Sequence, residues 1–251
     1  TWGQLDCPQL TFGVDLRYLK QELNENDSFE FDADGVIVRK KGNFPIPRSH
    51  SSNPGLFVEQ VLPVTERLSI RSGARVDWVS ENIEEIPNGY TATQVRALLG
   101  TDSFDRDFTL WAAFISAEYK MNCHWTASAG FGHAERPPTL TELYALQPFL
   151  AILQQGFSSV RGNAELDRER LWQMDLGLDG DCGRFRGGVH GFYSWISDFI
   201  TYEAIGTLIG VPDGLGVRFV NTDRATLSGG EAYAEYDWSE YLTPFAVLSY
   251  V

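Results

Sequence analysis

The sequence predicts an all-β fold, an antiparallel up-and-down transmembrane β-barrel of which about nine strands are present. Three observations predict it. Apolar and polar residues alternate with period two along successive segments. The connections run long, tight, long, tight, which gathers long loops at one end of the strands and tight turns at the other. The segments also meet the roughly 9–11 residues that a strand needs to cross the hydrocarbon. A soluble β-sandwich alternates too, but its strands are usually shorter, about 5–6 residues.

The first strand sets Leu10, Phe12, Val14, Leu16 and Tyr18 against Thr11, Gly13, Asp15 and Arg17. A polar stretch from about Glu22 to Asn53 reads as a long exposed loop with a small hairpin at its tip. Gly55 to Leu62 is the second strand, and Pro63 to Glu66 a tight turn. In the third, Leu68, Ile70, Ala74, Val76 and Trp78 oppose Arg67, Ser69, Arg71, Gly73, Arg75 and Asp77. A long loop from Glu81 to Phe104 holds a helical turn at Ala92 to Leu99. Phe108 to Tyr119 is the fourth strand. The fifth carries Cys123, Trp125, Ala127, Ala129 and Phe131 on one side and His124, Thr126, Ser128 and Gly130 on the other.

Pro137 and Pro138 end that strand. Thr139 and Glu142 have the spacing of a helix capping box. After this excursion, Trp172, Met174, Leu176 and Leu178 alternate with polar residues in a sixth strand. Phe185 to Phe199 is the seventh, Thr201 to Gly216 a Gly-rich loop, and Val217 to Trp238 an eighth strand interrupted at Gly229 and Gly230. A ninth begins near Thr243.

Composition narrows the function classes. A net charge of −14 argues against a nucleic-acid surface. No apolar run reaches the roughly 18 residues of a membrane helix. Mean hydropathy is mildly negative, which suits a barrel in which only alternate residues meet lipid. Three cysteines make no disulfide scaffold or metal site. The chain opens Thr1-Trp2-Gly3 without a targeting segment, so it is expected to begin inside a longer protein. Nine strands do not close a barrel whose strand number is even, so a larger barrel is expected. Tyr18, Trp78, Trp125, Tyr193, Trp195, Tyr236 and Trp238 are assigned to interfacial girdles.

Four ordered motifs carry a family resemblance. Gly55–Glu59 followed by Leu68–Asp77 ends in Gly73-x-Arg75-x-Asp77. Phe131 to Tyr144 contains Arg136-Pro-Pro and Glu142-Leu-Tyr. Gly162-Asn163-Ala-Glu165-Leu-Asp-Arg-Glu169 has Ala164 where a Pro is usual, and Asn221 precedes Gly230-Glu231. Together these resemble TonB-dependent outer-membrane receptors, 22-stranded barrels with an N-terminal plug. The resemblance implies that residues 1–251 are part of one receptor barrel lacking the plug. It implies uptake of a ferric siderophore, haem, cobalamin or another metal complex across a Gram-negative outer membrane. The implied partners are the TonB complex, a small metal-complex ligand and outer-membrane lipid. A non-energised porin or adhesin-like barrel is the alternative.

No enzyme, cofactor or metal site is expected. His50, His124, His133 and His190 are scattered, and His124 and His190 read as satisfied lumen histidines. Alternation directs Arg71, Arg75, Asp77, Asp175, Glu231 and Glu235 into the lumen, to meet a plug or line a solvated gap. Glu135, Arg136, Glu142, Asn163, Glu165 and Glu169 cluster in sequence about one long loop, and Arg136 is expected to pair with one of these acids and fix the loop's base. Phe29, Phe31, Phe149, Phe157 and Tyr202 are candidates for ligand contact. The acidic run Glu22 to Asp34 would repel an anionic ligand. Cys123 and Cys182 adjoin tight turns at the same end of neighbouring strands and are a candidate disulfide, provided the register sets them opposite.

Overall fold

The computed structural model describes residues 8–31, 37–87, 90–153, 156–207 and 215–251, with side chains described outside 25–31, 37–45, 147–153, 156–158, 207 and 215. The strands are β1 (Gln9–Phe31), β2 (Ile37–Pro63), β3 (Leu68–Ile83), β4 (Arg106–Lys120), β5 (Trp125–Arg136), β6 (Leu146–Leu153), β7 (Gly156–Arg161), β8 (Glu169–Asp181), β9 (Phe185–Thr207), β10 (Leu215–Tyr236) and β11 (Phe245–Tyr250). Among the described residues, helices α1 (Ala92–Leu99) and α2 (Leu140–Tyr144) lie in the long connections. One sheet runs β1-β2-β3-β4-β5-β8-β9-β10, with β11 on the β10 edge. These nine form the expected antiparallel meander.

Register turns the alternation into two faces. Val14, Leu56, Val76 and Trp111 are level across β1 to β4. Ser128, Gly177, His190 and Glu231 are level across β5, β8, β9 and β10. The first row belongs to the apolar face and the second to the polar one. Val14 is 75% exposed and Phe12 72%, which water would penalise and lipid does not. Tyr18, Trp78, Trp125 and Tyr236 lie toward the rims of this face. Tyr193 differs from its girdle assignment: it is level with Met174 and so with Phe131, well inside the span, and packs edge-on against Trp195 at 4.8 Å.

The dry core sits among the long connections, not between two sheets. Val95, Leu99, Leu140, Leu143, Tyr144, Leu146, Ala164 and Leu166 are buried together against Ile200 of β9. Thr91 and Gln94 form a capping box on α1, and Gly100 closes it at φ 71°. Thr139 and Glu142 form the capping box on α2.

Three expectations need correction. Most of Glu22 to Asn53 is not loop but the continuation of β1 and β2, paired with several register shifts. Beyond the bilayer both faces of a hairpin are wet, so the alternation that marks a strand disappears. Secondly, the excursion after β5 contains a further hairpin, β6–β7, whose second strand pairs parallel with the far end of β10. Thirdly, β10 runs unbroken through Gly229 and Gly230. Phe192 lies over Gly229, where an added Cβ would be 2.7 Å from the ring. Phe114 covers Gly73 in the same way, at 2.6 Å, and Phe57 covers Gly13. In each pair the ring lies flat along the lumen wall because its cross-strand neighbour has no side chain.

Two substitutions in the full-length protein test this assignment of faces. Gly73→Val should displace the Phe114 ring and cost about 1–3 kcal/mol. Leu176→Arg, on the bilayer face near the middle of β8, should cost about 2–4 kcal/mol, whereas Asp175→Asn beside it should be near neutral. Urea unfolding in lipid vesicles, followed by gel mobility of unheated samples, measures all three.

Candidate functional site

The loop base is built around Arg136, the last residue of β5, which is the register partner of Glu169 at the start of β8. Its Nε donates to Glu169 Oε2 at 2.7 Å. Its Nη1 and Nη2 donate to Glu142 at 3.0 and 3.3 Å. Both acids have second duties. Glu142 Oε2 accepts from Thr139 N at 2.6 Å, completing the α2 cap, and Glu169 Oε1 accepts from Ile200 N at 2.7 Å, tying in β9. The guanidinium thus joins the strand entering the excursion, the helix within it and the strand leaving it. Planar, forked donors suit this bidentate role.

The remaining ties end on backbone groups. Tyr144 is fully buried, and its hydroxyl lies 2.6 Å from Phe104 O and 3.1 Å from Glu81 O, its single proton serving the nearer carbonyl. Burial, with the Glu81 charge adding to it, pushes the Tyr144 phenol upward in pKa and keeps it a donor. Arg106 donates to Leu166 O at 2.8 Å. Asn163 Nδ2 donates to Phe219 O at 3.1 Å, and Asn221 bonds Asp167 N and O and Asp198 O. The Asn163 amide therefore satisfies a backbone carbonyl of β10, and the Asn221 amide, from β10, satisfies backbone groups of β9 and of the connection before β8.

Two of the expected members stand apart. Glu135 is one residue from Arg136 but on the opposite face, beside His133. Its carboxylate, 2% exposed, lies 3.1 Å from Arg168 Nε and accepts Trp111 N at 3.1 Å. The β4–β5 ladder ends at Ala113 and His133, so the Trp111 N–H is available to it. Glu165 is exposed, and its backbone N–H donates to Asn163 Oδ1. Sequence proximity grouped these residues, and pleat parity separates them.

The lumen wall carries its own ion pairs. Arg75 bonds Asp77 at 2.6 Å and Asp15 at 2.7 Å. Arg71 bonds Glu59 at 2.6 Å. Arg186 bonds Glu235 at 2.6 Å and Asp237 at 3.2 Å. Asp175 accepts from Gln173, which accepts from Ser194. Glu231 is level with His190 and exposed. The partners Asp15, Glu59, Arg186 and Asp237 were missed because register sets them, although their parity was readable.

His190 Nε2 lies 3.0 Å from Asp179 Oδ1, which also accepts from Tyr233 at 2.9 Å. Ser128 Oγ and His190 Nδ1 both reach over Gly177. Ser, His and Asp thus meet on the lumen wall. The surrounding residues of β5, β8 and β9 stand in unbroken ladders. His124 is also satisfied, at 2.8 Å from Asp181 O.

Cys123 and Cys182 are free and exposed, so the candidate bridge is not formed. The ladder that would hold them opposite ends at Trp125 and Gly180. Asn122 Oδ1 draws His124 N and Trp125 N into one turn, and Cys182 N bonds Phe185 O in the other. Tyr202 is exposed, on β9. The side chains of Phe29, Phe31, Phe149 and Phe157 lie outside the described residues, as does most of the acidic run; Glu22 itself pairs with Arg48 at 3.0 Å.

The sequence profile described as "TonB dependent receptor-like, beta-barrel" matches residues 2–251. No curated protein sequence matches. Among solved structures, the copper transporter OprC is 22% identical with a TM-score of 0.72, covering 98% of this chain and 35% of its own. The Serratia marcescens hemophore receptor HasR, solved with its hemophore HasA and heme, is 15% identical with a TM-score of 0.67, covering 97% and 38%. The FrpB iron transporter of Neisseria meningitidis is 17% identical with a TM-score of 0.62, covering 98% and 34%. The chain therefore spans little more than a third of the length of these structures. At these identities the likeness is one of fold.

Arg136→Ala should leave Glu142 and Glu169 without their cation and loosen the excursion by about 1–2 kcal/mol. Limited proteolysis between residues 137 and 168 should then run roughly 5- to 30-fold faster, with Arg136→Lys intermediate because it loses the fork.

Proposed function

This chain belongs to the TonB-dependent receptor-like β-barrel family, and from that premise we propose that it forms part of the wall and mouth of an outer-membrane receptor that imports a small metal complex. Ligand capture falls to the extracellular connections. Passage goes through the lumen, energised by the TonB complex acting through a region outside these residues. A non-energised porin is the second reading.

The observation that favours a receptor over a porin is the dry core at the mouth. Val95, Leu99, Leu143, Tyr144 and Leu166 are each 0% exposed. Arg136 ties α2, which carries Leu143 and Tyr144 of this core, to the ends of β5 and β8. A diffusion pore needs water along its axis, whereas a packed mouth needs a ligand-driven or energy-driven rearrangement to pass anything. The wall below is polar and ion-paired, as a solvated passage requires. The three structures compared are a copper transporter, a hemophore receptor with its hemophore and heme, and an iron transporter, and this supports metal complexes as the cargo class.

The test is growth. The intact gene, expressed in a host lacking its own uptake systems, should restore growth on one limiting metal complex when TonB is present and not when it is deleted. Equal growth with and without TonB would replace this reading by the porin.

A further inference from the structure

Resting on the receptor reading above, we propose that Glu81 is a proton-operated latch on the mouth: as a neutral acid it lets α2 and the dry core stay seated, and as a carboxylate it works them loose.

Glu81 stands on β3 just beyond Trp78, past the rim of the bilayer face and on the opposite side of the pleat, which faces the mouth. It is 3% exposed. Its carboxyl meets Ser51, level with it on β2, and its Oε2 is shut off from solvent without a hydrogen-bond partner. A carboxylate in that position is costly, whereas a carboxylic acid is not.

The groups packed around it set the balance between the two forms. Arg106 is level with it on β4. That guanidinium is taken up by Leu166 O at 2.8 Å and by the Phe108 ring at 5.3 Å, and among the described residues no ion pair joins it to Glu81. From α2 come the like charge of Glu142 and the Tyr144 hydroxyl, 3.1 Å from Glu81 O. Asp105 and Asp107, which flank Arg106, bear on the same phenol. On β1 and β2, Lys20, Glu22, Arg48 and His50 belong to the other face, where they pair among themselves and with Glu84 and Glu85. Beyond the described side chains, the chain's remaining cations are Arg39, Lys40 and Lys41, about ten residues or more along β2 from Ser51, on the order of 30 Å. Burial therefore dominates, and the Glu81 carboxyl is pushed up to about 7, with Glu142 adding to the rise and Ser51 and Arg106 opposing it.

Glu142 makes this local balance matter to the whole mouth. The same carboxylate caps α2 through Thr139 N and holds Arg136, and α2 is also tied to β1, where Gln21 Nε2 donates to Thr141 Oγ1 at 2.7 Å. A charge arriving on Glu81 repels Glu142 and calls water in beneath α2. Once α2 lifts, the hydrated carboxyl returns toward its ordinary value of 4.5. The closed mouth thus keeps a proton that the open one releases. Closure is firmest below about pH 4.5, weakens as the pH rises, and has lost the whole contribution above about pH 7.

The experiment uses the purified full-length receptor and Glu81→Gln, which keeps the shape and cannot ionise. Hydrogen exchange of residues 137–168 is taken as the ratio of wild type to variant at each pH, so that intrinsic rates cancel. The ratio should lie within a few-fold of unity near pH 5 and reach roughly 10- to 100-fold near pH 8. Difference infrared spectroscopy should show a protonated carboxyl band in wild type that fades as the pH passes about 7 and is missing from Glu81→Gln. Ser51→Ala removes the hydrogen bond that favours the carboxylate and should carry that midpoint higher, a readout that stands even where Glu81→Gln folds poorly. A ratio that is flat with pH overturns the latch. So does faster exchange in Glu81→Gln near pH 8, which would make the carboxylate a stabilising partner of Arg106. TonB-dependent growth is scored separately: failure of the latch with that dependence intact leaves the receptor reading standing, and growth indifferent to TonB rejects the receptor reading itself.

Discussion

A backbone that crosses hydrocarbon has no water to bond, so each N–H and C=O in the span must find a partner on a neighbouring strand. That demand fixes register, and register fixes which residues share a face. Glu135 and Arg136 show how much follows. They are adjacent and oppositely charged, yet one is sealed beside His133 on the bilayer side and the other organises the mouth from the lumen side. The same demand explains why Asn163 spends its amide on a β10 carbonyl and Asn221 on one of β9: where a strand partner departs, a side chain has to substitute.

Wherever one face met lipid and the other water, the sequence could be read. The nine meander strands, the helical turn at Ala92 to Leu99 and the Thr139–Glu142 cap were all legible, because period-two alternation and capping chemistry are local. The pairing of Arg136 with Glu142 and Glu169 was also within reach, since one excursion brings all three together. What could not be read is non-local. Leu146 to Leu153 shows no alternation, and its hairpin joins the sheet through β10, far along the chain. Arg75 finds Asp15 only through the β1–β2–β3 register. Glu81 comes under the charge of Glu142 only when α2 docks against the sheet.

The wall and the mouth are held together by different forces. In the wall, apolar side chains face outward and contribute no packed interior; ladders and lumen ion pairs carry the order. In the mouth, a conventional dry core forms around Leu143, Tyr144 and Leu166, with the charged knot at its edge. The two regimes meet at Arg136 and Glu169, which belong to strands by backbone and to the mouth by side chain.

That shared membership has a mechanical side. The excursion between β5 and β8 is cinched at its root, and the cinch also reaches β9 through Ile200. A force applied at the tip is therefore not absorbed by slack near the anchor but delivered as torque to three adjacent staves of the wall, so the mouth behaves as a stiff lever hinged on a single cation.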